Sequence, residues 1–327
     1  RDLAFAIMGH HGGLPDKQGL DNECKKLAMN FPEIQSAAAP ECPWLGQSLP
    51  PMQQIEDDIL LRLLFSCLVD ADWIDTSNHQ ARLSGSPEWL PAAALDFSKL
   101  VANVERYIQR RTALCGGARV GALRTEVRRA AEDAAQRPPG IFAMTVPTGG
   151  GKTLSSLMFA LRHAQANDLT RIIYVAPYLT IIDQNARVFR EALGEGAADL
   201  ILEHHSLSEP RSSSAEISRG ADAEDTGIEA AERLSENWDA RIILTTALQF
   251  FESLFAHEPR RCRKFHNIAR SVVIIDECQS LPKGLLDPTC QMLTQITAQL
   301  GCPLVVCTAT QPGWSDPQRV QFPLTDI

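Results

Sequence analysis

The chain changes hydrophobic rhythm near residue 140. Before it, Ile55, Ile59, Leu63, Leu64 and Leu68 recur at three- and four-residue steps after Pro50 and Pro51, which predicts a helix with one buried face over 50–75. Residues 76–98, rich in Ser, Pro and small polar side chains, read as a connection into a second helix over Leu100 to Arg111. A third helical pattern runs from Val120 to Gln136 and is stopped by Pro138, Pro139 and Gly140. Beyond it, short apolar runs alternate with helix-length stretches: Ile141–Val146, Arg171–Ala176, Ala240–Thr245, Ser271–Ile275 and Leu304–Thr308. Such runs predict a mainly parallel sheet buried under crossover helices. The polar stretch from Glu209 to Asp225 interrupts the alternation and reads as a surface insertion. The expected organisation is a helical domain over residues 1–112 and an α/β domain over 113–327.

Composition narrows this picture only modestly. With 327 residues and 44% hydrophobic content, the chain has room for two cores. Runs such as Val272–Ile275 fall well short of the roughly 20 apolar residues a membrane helix needs, so no membrane association is expected. The N-terminus has neither a signal-peptide pattern nor an initiator Met, which suggests a cut or processed chain. Nine cysteines show no C-x-x-C pair, and Cys67, Cys278, Cys302 and Cys307 lie in apolar segments. Reduced, buried thiols in a cytoplasmic protein are expected. The net charge of −9 argues against a generally basic surface but leaves room for a local basic groove.

The chemistry concentrates after the first predicted strand. Val146-Pro147-Thr148-Gly149-Gly150-Gly151-Lys152-Thr153 joins a strand to a helix start, the context of a phosphate-binding loop. Glycines let the backbone curl around a phosphate, Lys152 reaches the terminal phosphates of ATP, and the Thr153 hydroxyl suits Mg2+. Val146 stands where the generic loop has Gly or Ala. The apolar strand Val272–Ile275 ends in Asp276 and Glu277; Asp276 can hold Mg2+ and Glu277 can orient the attacking water.

Three further segments resemble superfamily 2 helicases. Tyr174-Val-Ala-Pro-Tyr-Leu-Thr-Ile-Ile-Asp-Gln-Asn, with Pro177, resembles a motif that holds a nucleic-acid backbone; Ile242-Ile-Leu-Thr-Thr resembles a second such motif, with Thr245 and Thr246 as hydroxyl donors. Cys307-Thr-Ala-Thr resembles the motif coupling hydrolysis to movement, through Thr308 and Thr310. In the front part, Met8-Gly-His-His-Gly-Gly places His10 and His11 side by side, and Leu68-Val-Asp-Ala-Asp-Trp follows in a helical segment. Imidazoles are common transition-metal ligands. Together these segments resemble the CRISPR-associated type I helicase-nucleases, in which an HD nuclease precedes a superfamily 2 motor.

The resemblance implies the C-terminal part of an HD-type domain followed by a first RecA-like motor domain. It further implies an ATP-dependent DNA helicase coupled to a metal-dependent nuclease. The implied partners are single-stranded DNA and a CRISPR surveillance complex with its guide RNA. The earlier ligands of such a nuclease and a second motor lobe are missing, so the chain reads as a central fragment. Gln279 stands where many relatives have His, which is expected to alter an inter-domain contact. For the implied Mn, Fe, Co or Ni site, Asp70 and Asp72 compete, because residues two apart on a helix point about 200° from each other. Leu61, Leu64, Phe65 and Leu68 mark the apolar face, and Asp72 follows Leu68 by one turn, so Asp72 is the expected ligand beside His10 and His11. Two alternatives fit the same residues: a non-catalytic nucleotide-binding or partner-recognition module, and a DNA-repair or RNA helicase with an unrelated helical front domain.

Overall fold

The computed structural model describes residues 58–114, 118–196, 200–204, 237–281, 283–309 and 324–327. Their elements begin with helices α1 (Asp58–Ser84), α2 (Phe97–Leu114) and α3 (Ala118–Ala134), then β1 (Ile141–Thr145), α4 (Lys152–Ala166), β2 (Arg171–Ala176) and α5 (Leu179–Leu193). They continue with β3 (Ile201–His204), β4 (Ile242–Thr246), α6 (Ala247–Phe255), α7 (Pro259–Cys262), β5 (Ser271–Ile275), α8 (Leu286–Leu300), β6 (Leu304–Thr308) and β7 (Leu324–Asp326).

The chain divides into two compact units. Of the described residues, one holds those up to Trp89 together with 255–266; the other holds those between 90 and 254 and from 267 on. In the first, α1 buries Ile59, Phe65, Ser66, Val69, Asp70 and Ala81. Phe65 and Val69 pack with Cys262 of α7. The chain thus leaves the second unit after Leu254, contributes residues 255–266 to the first, and returns at Asn267.

The second unit is an α/β layer structure. Its seven strands run in the order β3-β4-β2-β5-β6-β1-β7, and each neighbouring pair is parallel. The central strands β2, β4, β5 and β6 are buried along their whole length, which is why they are continuous apolar runs. β3 and β7, absent from the expected strand set, are short edge strands with partly exposed positions. An edge needs no unbroken apolar run, so neither announces itself in sequence.

Two boundaries differ from the sequence expectation. Helix α1 continues to Ser84, through residues that read as a connection. The division between units falls at Trp89 rather than at 112, because α2 joins the α/β core. Leu100, Val101 and Val104 are buried in that core, with Tyr107 and Ile108 packed against it, and α2 packs on α4 and α5. The cysteines expected to be buried are so at Cys278, Cys302 and Cys307, whereas Cys67 is exposed. No described helix is long and apolar enough to cross a membrane.

Candidate functional site

The phosphate loop is fixed at both ends by the sheet and by its own turn. The Val146 amide donates to the Thr308 carbonyl at 3.0 Å, and the Gly150 amide donates to the Pro147 carbonyl at 2.9 Å. Gly149 and Gly151 have φ of 81° and 89°, a region that costs side-chain-bearing residues free energy. Gly150 is required for space: a Cβ there would lie 2.6 Å from Val146 Cγ1 and 2.9 Å from the Pro147 oxygen. Helix α4 begins at Lys152, so its unpaired first-turn amides border the loop.

The acids arrive from a strand two places away. β6 lies between β1 and β5, so the strand ends bring the loop and the Asp276–Glu277 pair to the same rim of the sheet. Lys152 Nζ lies 2.7 Å from Asp276 Oδ1 and also contacts Glu277 Oε1. The other Asp276 oxygen accepts from the buried Tyr174 hydroxyl. Asn185 Nδ2 donates to that hydroxyl at 2.7 Å, and Thr153 Oγ1 donates to Asn185 Oδ1 at 3.4 Å. Glu277 sits in the left-handed region at φ 47°, a strained conformation for a non-glycine residue that clusters at functional sites. Its amide donates to Asp276 Oδ1 at 2.9 Å. Gln279 then closes the network, donating to Glu277 Oε2 at 2.5 Å and accepting from Thr308 Oγ1 at 2.8 Å.

These contacts set the protonation states. Burial works against the Lys152 charge, but hydrogen bonds and charge from Asp276 and Glu277 outweigh it and hold the ammonium above its ordinary pKa. For Glu277, burial would raise the pKa, yet the hydrogen bonds from Lys152 and Gln279 prevail and lower it. Burial and the Asp276 charge push the Tyr174 phenol well up, so it stays a donor. The Cys278 thiol is raised to about 12, first by burial and then by Asp276, which leaves it protonated and unreactive.

The cluster forms the wall of a cavity of about 770 Å³, whose other side is built by Tyr107, Ile108 and Arg111 of α2 and by Val120, Arg124 and Arg128 of α3. A volume of this size suits a nucleotide-sized ligand. One cation flanked by two acids, beside a glycine loop and a helix start, is an arrangement that can exchange partners. A magnesium-bound triphosphate supplies a dication for the acids and anionic oxygens for Lys152. Thr153 and Asp276 offer the hard oxygen donors Mg2+ prefers, so the residues present fit that ion.

Residues 128–320 match the DEAD/DEAH box helicase family. The chain belongs to that family. Over 186 residues it is 33% identical to the CRISPR-associated nuclease/helicase Cas3 of Haloferax volcanii, covering 54% of this chain and 20% of that relative. Among solved structures, T. fusca Cas3-ADP superposes with a TM-score of 0.61 at 17% identity, covering 94% of this chain and 37% of that one. T. fusca Cas3-ATP gives 0.60 at 17% identity, with 94% and 36% covered. The chain therefore spans about a fifth of the length of the curated relative and about a third of the solved ones. The structural likeness supports the helical region followed by a RecA-like α/β domain.

The remaining expected residues of this DEAD/DEAH-box chain divide sharply. Pro177 is half-buried directly after β2. Thr245 is wholly buried and its hydroxyl has no partner among the described residues; Thr246 is buried and its hydroxyl accepts from the Gln249 amide at 3.2 Å. β4 lies inside the sheet and α6 starts immediately after it, so both threonines sit where the strand passes into the helix. Thr308 is buried and committed to Gln279; Thr310, His10 and His11 lie outside the described residues.

The choice of Asp72 as the buried acid of α1 is overturned. Asp72 is exposed, whereas Asp70 is 6% exposed. The buried stripe runs Phe65, Ser66, Val69, Asp70, one position off the leucine stripe, because the half-buried Leu61, Leu64 and Leu68 only border it. Asp70 is held by Arg263 Nε at 2.5 Å and lies 3.3 Å from His266 Nε2. Arg263 stacks over Trp73 with its guanidinium carbon 4.9 Å from the ring centre. Among the described residues no three metal-ligating side chains converge. The sequence reading also missed Tyr174, Asn185 and Gln279 as members of the acid network. A Tyr on the strand and an Asn eleven residues later, one face of the next helix away, were the available signal.

Proposed function

We propose that this chain is the ATP-binding first motor lobe of a DNA helicase acting in CRISPR-linked defence. The observation that carries this reading is the convergence of Lys152 with Asp276 and Glu277 at a glycine loop, beside a nucleotide-sized cavity. In this role Lys152 binds the terminal phosphates and Thr153 and Asp276 hold Mg2+, which screens the charge that develops on the transferred phosphoryl group. Glu277 orients the attacking water and accepts its proton; its lowered pKa keeps it ionised before that step, and its strained backbone fixes its position. Gln279, linking Glu277 to Thr308, relays the state of the acids to the end of β6.

Single-stranded DNA and a guide-RNA surveillance complex are the partners this reading implies; its support is the CRISPR-associated relative and the helicase family. Pro177 at the end of β2 remains the proposed backbone contact. Coupling to a metal-dependent nuclease draws on the His10–His11 pair and on the relative's designation as a nuclease/helicase. The described helical residues do not fit a metal: Asp72 is exposed, and both oxygens of Asp70 are engaged by Arg263 and His266.

The test is MgATP binding by the chain, followed by fluorescent nucleotide titration, and ATP turnover with and without single-stranded DNA. Binding in the micromolar to millimolar range that Lys152→Ala removes supports the reading. Equal binding by the wild type and Lys152→Ala overturns it.

A further inference from the structure

The cavity contains more cations than the loop motif accounts for. Four basic side chains line it among the described residues: Arg111, Arg124, Arg128 and Lys152. Three of them face carboxylates. Lys152 is held by Asp276 and Glu277, Arg128 lies 3.7 Å from Glu132, and Arg111 lies 3.8 Å from Glu191 while donating to the Tyr107 hydroxyl. Among the described residues Arg124 has no carboxylate partner. Its one hydrogen bond among the described residues runs from Nε to the Gly149 carbonyl at 3.0 Å.

The position of that bond matters. Gly149 is the first glycine of the loop, and the Arg124 stem also covers the third: a Cβ on Gly151 would meet Arg124 Cγ at 3.2 Å. The side chain therefore lies along the loop with its Nε spent on the backbone. Its two terminal nitrogens have no hydrogen-bond partner among the described residues, at a cavity wall that also contains Lys152. A guanidinium presents its donors in a fixed fork suited to phosphate oxygens. A triphosphate carries more negative charge than one lysine and one magnesium ion neutralise, so a second cation at the loop is favourable.

From this geometry we propose that Arg124 is a phosphate-binding residue of the nucleotide site, holding the loop through Gly149 while its terminal nitrogens bind a polyphosphate oxygen. The inference rests on the nucleotide-site reading above. It places a specificity element for phosphorylated nucleosides on α3, upstream of the loop itself. Helix α3 packs on α4, so the same residue makes nucleotide occupancy felt by the helix layer that covers the sheet.

A purely structural brace would need only a donor for Gly149, which separates the two roles. The experiment titrates fluorescent ATP, ADP and adenosine into wild-type chain, Arg124→Gln, Arg124→Lys and Arg124→Ala, with a thermal melt of each. A charge-assisted bond to phosphate predicts about tenfold weaker ATP binding in Arg124→Gln and Arg124→Ala, partial recovery in Arg124→Lys, unchanged adenosine binding and unchanged melting. ATP affinity at the wild-type level in Arg124→Gln overturns the proposal in favour of a brace. So does an equal loss for ATP and adenosine. Failure of the wild-type chain to bind ATP at all removes the nucleotide-site reading itself, and with it this inference.

Discussion

Two ion clusters in this chain use the same chemistry to opposite ends. In the helical unit, Asp70 is sealed between Arg263 and His266, and the carboxylate and guanidinium side chains are 8% and 6% exposed. Around it, the Ser66 hydroxyl donates to the Arg263 carbonyl at 3.1 Å and accepts from the His266 amide at 3.0 Å. Each oxygen of Asp70 has a side-chain partner, Arg263 on one and His266 on the other, and the acid is buried. At the phosphate loop, one lysine serves two acids, Glu277 is 29% exposed, and the cluster borders a cavity. A saturated, closed cluster holds segments together. A cluster with surplus acid, open to a cavity, is set to trade its partners for a ligand.

The comparison breaks most forcefully at Asp70. Asp70→Ala leaves the Arg263 charge buried without its partner, at a cost of about 3–5 kcal/mol, and frees residues 255–266 from α1. Chemical denaturation followed by Trp73 fluorescence should report the loss; a change below about 1 kcal/mol means that the pair is not an anchor. The same cluster carries a pH signature. Burial would raise the Asp70 pKa, but His266 and Arg263 outweigh it and lower the value in the folded state. A depressed folded pKa gives stability that is complete above the unfolded value, about 4, and is lost as pH falls through the folded one. The helical unit should therefore weaken in acid below about pH 4, and Asp70→Asn should lack that component of the slope.

At the open cluster the largest effect is on binding. Lys152→Ala should weaken MgATP by about 100-fold, the loss of a charge-assisted phosphate contact plus the repulsion of two acids left without their cation. The fold should survive, because α4 is anchored by Leu157, Phe159 and Leu161, all fully buried. Titration with fluorescent ATP and a melt of the same sample check both halves. A variant that loses binding only because it unfolds removes the contrast between the clusters.

How much of this was legible depended on whether a residue's role is local. The strands β2, β5 and β6 could be read to the residue, because full burial on both faces demands an unbroken apolar run. The loop and its acids were equally readable, since glycine geometry and paired carboxylates are tied to short motifs. Asp70 was misread because its partners lie nearly two hundred positions away, on a segment that the motor half lends to the helical unit; no periodicity on α1 announces them. The burial of Thr245 and Thr246 was not legible for the reverse reason. Their motif reads as a strand end, and in the fold both are buried where β4 passes directly into α6.

Smaller effects separate the two acids of the open cluster. Glu277→Gln keeps size and hydrogen bonding but removes the acceptor for the water's proton, so turnover should fall by roughly 10–100-fold with nucleotide binding retained. Asp276→Asn should act the other way, weakening Mg2+-dependent binding, because it loses charge toward the ion and disturbs the donor from Tyr174. Steady-state ATPase rates set beside titrations in the presence and absence of Mg2+ read the split. Identical profiles for both variants contradict separate roles.

The smallest expected effect belongs to Asp72, and it tests the comparison from outside both clusters. Asp72 is on α1, two residues from Asp70, but it is exposed. An exposed acid with solvent as its partner contributes little to stability, so Asp72→Ala should shift the melting midpoint by no more than about 1 °C. Asp70→Ala should melt the same unit far earlier. Because Asp72→Ala is expected to leave the fold alone, it is also the clean probe of the nuclease reading: metal-dependent cutting of single-stranded DNA that Asp72→Ala abolishes without lowering the melting point makes Asp72 a ligand despite its exposure. Cutting that persists in Asp72→Ala removes this residue from any metal site. A destabilised Asp72→Ala would mean that burial on α1 does not sort its two acids, and the contrast drawn between a sealed and an open cluster would lose its reference point.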